Sequence, residues 1–155
     1  MNVRESNTYE LKVVKTQNDW TAYHRIRREE LFEGRGRYGV YDSNYPDERL
    51  PNHFPLLLRY NGMAVATVRL DLHERGVAVL RLVAVTRSEQ AKGHGSILGQ
   101  HVEEFARKMG VRKLVVNAAP DAVGYYERLG FSRDRWDVAE LEGVLADAVK
   151  MAKAL

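Results

Sequence analysis

Apolar positions change period several times along the chain, and each change predicts an element. "YELKVVKT", Tyr9 to Thr16, reads as a first strand. Asp19 then caps a helix over "WTAYHRIRREELF", Trp20 to Phe32. Glu33 to His53 is rich in Gly, Tyr, Asp and Pro and has no clean period. A loop of that length in a compact domain usually carries function or contains a short helix. "FPLLLRY" and "MAVATVRLDL" flank Asn61-Gly62, a strong hairpin signal. "HERG" makes the next turn. "VAVLRLVAVT", Val77 to Thr86, is apolar on both faces except at Arg81, which predicts a central strand.

Past Gly93 and Gly95, residues Ile97, Leu98, Val102, Phe105, Ala106 and Met109 share one helical face, and Gly110 stands at the C′ position. "KLVV", Lys113 to Val116, is a short buried strand. Strand, helix and strand make a βαβ crossover, so these two strands should be parallel. Asp121 caps a short helix, "AVGYYERL", closed by Gly130, and "FSRDRW" follows as a short last strand. From Val138 on, Leu141, Val144, Leu145, Ala148, Met151, Ala152 and Leu155 mark an amphipathic terminal helix. Its stripe would pack on the domain or form a homodimer contact. The fold class is therefore α+β, with a mixed sheet that is antiparallel first and parallel across one crossover.

The chain's 155 residues suit one domain, 1–155. No apolar run approaches a membrane span, and the first residues lack a signal-type apolar stretch. The chain has no cysteine, which excludes disulfides, thiolate nucleophiles and cysteine metal sites. With no paired His/Asp spacing either, no metal site is expected. A cytoplasmic location fits this composition. A net charge of +3 and a pI of about 9.2 favour an anionic ligand without indicating nucleic-acid binding.

"EQAKGHGSILGQ", Glu89 to Gln100, places bare backbone at a strand-to-helix junction. A dinucleotide fingerprint needs a third glycine in register and an acid about 20 residues on, where Lys113 stands. A Walker loop needs Gly-Lys-Ser/Thr, and "GHGS" lacks the lysine. A plain turn using two glycines is the bland alternative. Gln90, Gly93 and Gly95 form Q-x-x-G-x-G, whose amides from Gln90 to Ser96 converge at a helix N-terminus as an anion cradle. Lys92 and Arg87 add positive charge nearby.

This segment resembles motif A of the GNAT superfamily of acyl-CoA N-acyltransferases. "AVGYYERLGF", Ala122 to Phe131, is similar to a second signature of the same superfamily. The resemblance implies a central mixed, mostly antiparallel sheet with helices on both faces. It also implies acetyl-CoA or another acyl-CoA as co-substrate and an amine acceptor; from charge and hydropathy, no nucleic-acid or membrane partner is expected. By the same resemblance the CoA pyrophosphate lies on Gln90, Ala91, Lys92, Gly93, His94, Gly95 and Ser96. The pantetheine arm pairs with the backbone of Val83, Ala84 and Val85, and the following strand splays away to make room. Asn117 is a candidate pantetheine contact, although it lies nine residues before Tyr126 and not seven, where Ala119 stands. Tyr126 would act on the departing thiolate, with Tyr125 as the core tyrosine.

Some relatives place a glutamate on the strand before motif A, but Val79 occupies that position here. Asp71, His73 and Glu74 are the remaining candidate bases, beside a water chain or an acceptor that binds as the free amine. The Glu33–His53 loop should wall the acceptor site. There Tyr38, Tyr41 and Tyr45 offer aromatic surface, and Asp42, Asp47 and Glu48 could attract a cationic amine. The expected activity is acetyl transfer from acetyl-CoA to a primary amine of a small molecule or peptide. The alternatives are a longer-chain acyltransferase of the acyl-homoserine-lactone-synthase type and a non-catalytic acyl-CoA sensor. The first would share the Arg-rich "RIRREELF" and the acidic "YDSNYPDE".

Overall fold

The computed structural model describes residues 8–87, 92–136 and 147–155. Over these residues the strands are β1 (Tyr9–Val13), β2 (His53–Tyr60), β3 (Met63–Leu72), β4 (Val77–Val85), β5 (Lys113–Ala118), β6 (Ser132–Arg133) and β7 (Val149–Ala154). The α-helices are α1 (Gln17–Arg27), α2 (His94–Lys108) and α3 (Val123–Arg128). One sheet holds the strands in the order β1-β2-β3-β4-β5-β7-β6. Its pairs are antiparallel except β4–β5, which α2 connects. Asn61 and Gly62 both take left-handed φ, 49° and 83°, as a tight two-residue hairpin requires.

Two helix starts differ from expectation. Thr16, not Asp19, caps α1; Asp19 sits three residues in and closes a reciprocal capping box with Thr16. Arg28–Phe32 continues α1 as a π-helical turn. Asp121 does not cap α3, because a 3-10 turn, Pro120–Ala122, leads into it. The Asp121 carboxylate lies 3.7 Å from Arg35 instead.

Apolar residues cover both sheet faces. On one, α2, α3 and the turn after α3 bury Leu98, Val102, Ala106, Val123 and Phe131 against Leu56, Val68, Leu80, Leu114 and Met151. On the other, α1 buries Tyr23 and Ile26 against Leu57 and Ala84, while Trp136 covers Val79, Val115 and Ala152. Between these two apolar patches the second face is polar.

The terminal helix is corrected. Val149–Ala154 is strand β7, inserted between β5 and β6. Val138, Leu141, Val144 and Leu145 lie outside the described residues. Met151 faces one apolar layer and Ala152 the other, so both are buried as in an interior strand. β5 supplies a six-residue antiparallel register, Lys113↔Ala154 through Ala118↔Val149. Those ladder bonds outweigh a local pattern equally compatible with a helix.

Candidate active site

The site begins where two strands part. The parallel β4–β5 ladder runs from Val77↔Lys113 to Leu80↔Val116 and stops. β4 continues along β3 to Val85↔Ala66. An extra β4 residue is inserted between Arg69↔Arg81 and Thr67↔Ala84, and Leu82 there takes φ 54°. Such a bulge sharpens local twist and turns a strand away from its neighbour. Beneath the parting lies a small apolar hollow lined by Leu80, Val83, Leu98, Leu114, Tyr126 and Phe131, among others.

α2 starts at the same end of β4. Gly93 caps it in the left-handed conformation, φ 85°, with open space where a side chain would be. A first helical turn leaves amides without intrahelical acceptors, and Gly95 and Ser96 contribute such amides here. Gln90 and Ala91 lie outside the described residues, while Lys92 and Ser96 are exposed. The imidazole of His94 turns inward. It is 3% exposed, with Nδ1 2.7 Å from the Tyr9 hydroxyl and its ring 5.0 Å from that of Tyr60.

Gly95 and Gly99 have a role that their place in the motif does not disclose. A Cβ on Gly95 would lie 2.9 Å from the Tyr125 ring, and one on Gly99 2.7 Å from Leu129. These glycines form the groove in which α3 sits on α2. The Tyr125 hydroxyl donates to the Gly95 carbonyl at 2.8 Å, so it is committed. Burial pushes its pKa up to about 12. Tyr126 is buried against Tyr125 and Phe131, and among the described residues its hydroxyl has no partner. Burial, with a smaller contribution from Tyr125, pushes its pKa well above the ordinary tyrosine value. The phenol is therefore a proton-bearing donor at neutral pH.

On the opposite sheet face a buried ionic cluster fills the polar middle. Arg69 donates to both oxygens of Asp71 at 2.7 and 2.9 Å and to Asp47 at 2.8 Å. Arg27 pairs with Glu48, which also accepts from the Tyr23 hydroxyl at 2.6 Å. His53 Nδ1 donates to the Asp47 carbonyl at 2.6 Å and Nε2 lies 3.5 Å from Asp71. Periodicity alone hid this cluster. The signal available was "VRLDL", two charged residues at alternate positions of an apolar strand.

The cluster changes several assignments. Asp47 and Glu48 neutralise protein arginines, so they do not await a cationic substrate. Asp71, a candidate base, is fully buried within β3 under the Arg69 fork. His73 and Glu74 precede β4, at the end away from the parting. Tyr41 is bonded to His24 Nδ1, and Asp42 accepts from the Asn44 amide at 2.9 Å. Tyr38 and Tyr45 are 72% and 49% exposed. Asn117 lies on β5 one residue past the last β4–β5 pair. Ala84 is buried under α1, and Val83 lines the hollow.

A mixed sheet that parts beyond its one parallel pair is the fold of the acyl-CoA N-acyltransferases. A putative N-acetyltransferase from Lactobacillus plantarum superposes with a TM-score of 0.77 at 20% identity, over 96% of this chain and 99% of that one. An acyl-CoA N-acyltransferase from Pseudomonas aeruginosa gives 0.76 at 19% identity, over 96% and 100%. A Bacillus subtilis acetyltransferase in complex with CoA gives 0.70 at 17% identity, over 96% and 99%. The acetyltransferase (GNAT) family profile matches residues 20–131, and the chain belongs to that family. It is an acyl-CoA-dependent N-acyltransferase.

Proposed function

We propose that the protein moves an acetyl group from acetyl-CoA directly to a primary amine of a small molecule or peptide. The observation that carries this reading is the parting of β4 from β5 just after Leu80↔Val116, beside a hollow lined by Tyr126. The residues fit a CoA donor. Gly93 leaves open space at the α2 N-terminus for a pyrophosphate. Gln90, Ala91 and Lys92 to Ser96 would hold it, with His94 contributing backbone only. Backbone of Val83, Ala84 and Val85 would pair with the pantetheine amides as an added strand would, with Asn117 across the gap. The hollow is small and lined almost wholly by apolar side chains.

A bound acyl thioester supplies an activated carbonyl and a thiolate leaving group. In the reaction, an uncharged amine nitrogen attacks the carbonyl carbon, the C–S bond breaks and an amide forms. The nitrogen loses one proton and the thiolate gains one. The Tyr126 phenol donates a hydrogen bond toward the sulfur. An ordinary tyrosine is about 1.5 pKa units weaker as an acid than a thiol, so full proton transfer is uphill by roughly 2 kcal/mol. Burial raises Tyr126 further, which favours hydrogen-bond donation with solvent completing the proton balance. Every oxygen of Asp71 faces Arg69, so the acceptor binds as the free amine and its proton leaves to water.

Free-thiol release from acetyl-CoA against a panel of amines, peptides and aminoglycosides tests the reading. Amine-dependent release that falls about 10²-fold in Tyr126→Phe is expected, the loss typical of one transition-state donor. CoA binding without any amine-dependent turnover would overturn it.

A further inference from the structure

One charged side chain on the polar face takes no part in the ionic cluster. Arg81 is the cross-strand partner of Arg69, so both guanidinium groups leave the same sheet face. Arg69 takes Asp71 and Asp47, and Arg27 takes Glu48. Among the described residues Arg81 has neither an ion pair nor a side-chain hydrogen bond, although it is half-buried. Burial and the adjacent Arg69 charge lower its pKa from the ordinary arginine value, the direction expected of a cation short of a counter-charge. It remains protonated at any physiological pH.

Its position gives this excess cation a use. Arg81 is the first β4 residue beyond the last β4–β5 pair, directly before the bulge at Leu82. Leu80 faces the α2 layer and Val79 faces Trp136, so Arg81 points away from Tyr126, to the side without the α2 N-terminus. Asn117 follows Val115 by two residues and shares that face across the gap. Lys150, the β7 partner of Asn117, is bonded to the Trp136 carbonyl at 3.3 Å and lies over its ring. An acceptor reaching the gap from this side meets Arg81 and the Asn117 amide.

We propose that Arg81 is a specificity-determining residue that holds a carboxylate on the acceptor, so that the acceptor is an amine bearing a carboxylate, of the amino-acid class. This rests on the acyl-transfer reading above. The planar guanidinium fork matches a carboxylate in two parallel hydrogen bonds, and the half-buried setting strengthens them. Carboxylate binding also supplies the counter-charge that the cluster does not.

The test measures thiol release from acetyl-CoA with α-amino acids and with the amines left when each loses its carboxylate. O-phosphoethanolamine is a third arm. Turnover should favour the carboxylate-bearing member of a pair by at least about tenfold, the range of a charge-assisted hydrogen bond. Arg81→Met should raise its KM by a similar factor, leave the KM for acetyl-CoA unchanged and abolish the preference. Arg81→Lys should restore part of it, and thermal melts of both variants check folding. Equal turnover of the decarboxylated amines, or an unchanged acceptor KM in folded Arg81→Met, would overturn the carboxylate assignment while transfer to amines stands. Preference for the phosphate arm, or an effect of Arg81→Met confined to the acetyl-CoA KM, would also overturn it. CoA binding with no turnover in any arm would instead defeat the acyl-transfer reading, and this proposal with it.

Discussion

Glu48→Ala should destabilise the protein by an amount that its neighbours set. The Glu48 side chain is 7% exposed and its partner Arg27 3%. Arg27 is already short of partners, since its buried Nε has none, and its guanidinium lies 4.6 Å from the Tyr23 ring centroid. Truncating Glu48 leaves that cation buried without its carboxylate and orphans the Tyr23 hydroxyl. Breaking a buried pair in this way costs about 3–5 kcal/mol, because the remaining charge keeps its desolvation penalty. With a urea slope of roughly 2 kcal/mol per molar, the midpoint should fall by about 2 M. Equilibrium urea unfolding followed by circular dichroism reads it. Replacing both partners, Arg27→Met with Glu48→Leu, removes the stranded charge and should recover most of the loss. A loss under about 1 kcal/mol for Glu48→Ala, or a double variant no better than the single, would refute the reasoning.

Three further outcomes follow from the same geometry. Burial alone would raise the Glu48 carboxyl, but the charge and hydrogen bond of Arg27, with Tyr23 and Arg69, outweigh it and hold the pKa below the ordinary value. Its folded pKa is thus the lower one, so its contribution is full above about pH 4.3 and is lost as pH falls through the folded value. Acid unfolding midpoints of wild type and the double variant should show it, and identical acid limbs would contradict it. Gly95→Ala places a Cβ 2.9 Å from Tyr125 and should cost about 1–3 kcal/mol in urea melts. Gly93→Ala meets only backbone strain, about 1–2 kcal/mol, and spares the α2–α3 contact; matching spectral changes around Tyr125 in both would count against this distinction. Tyr126, raised by burial, stays protonated through pH 10, so the alkaline limb of kcat should be unchanged in Tyr126→Phe while kcat itself drops. Loss of that limb in the variant would assign Tyr126 a titrating role.

Motifs that act through nearby backbone were legible before folding. The Asn61-Gly62 turn, the α2 face from Ile97 to Ala106 and the left-handed Gly110 depend on residues within a few positions, and each stands where its pattern puts it. The β4–β5 crossover followed from two apolar runs with a helix between them. Arg81 was visible as the polar exception in an apolar strand. That it has no ion pair among the described residues was not, because this depends on which carboxylates Arg69 and Arg27 claim from the Pro46–Arg49 turn and β3.

What the sequence determined by itself is the local grammar: periods, turns, caps within a residue or three, and two family motifs that name a donor. Only tertiary structure decided the rest. Met151 and Ala152 fit a helix as well as a strand until the edge of β5, more than thirty residues back, offers a ladder. Tyr125 and Tyr126 are adjacent and chemically alike, yet the Gly95 carbonyl takes one hydroxyl and leaves the other at the hollow. Gly95 is bare where the ring of Tyr125, thirty residues on, packs against it. In each case the deciding energy is a hydrogen bond, a charge or a packing contact made across the fold, which no window along the chain contains.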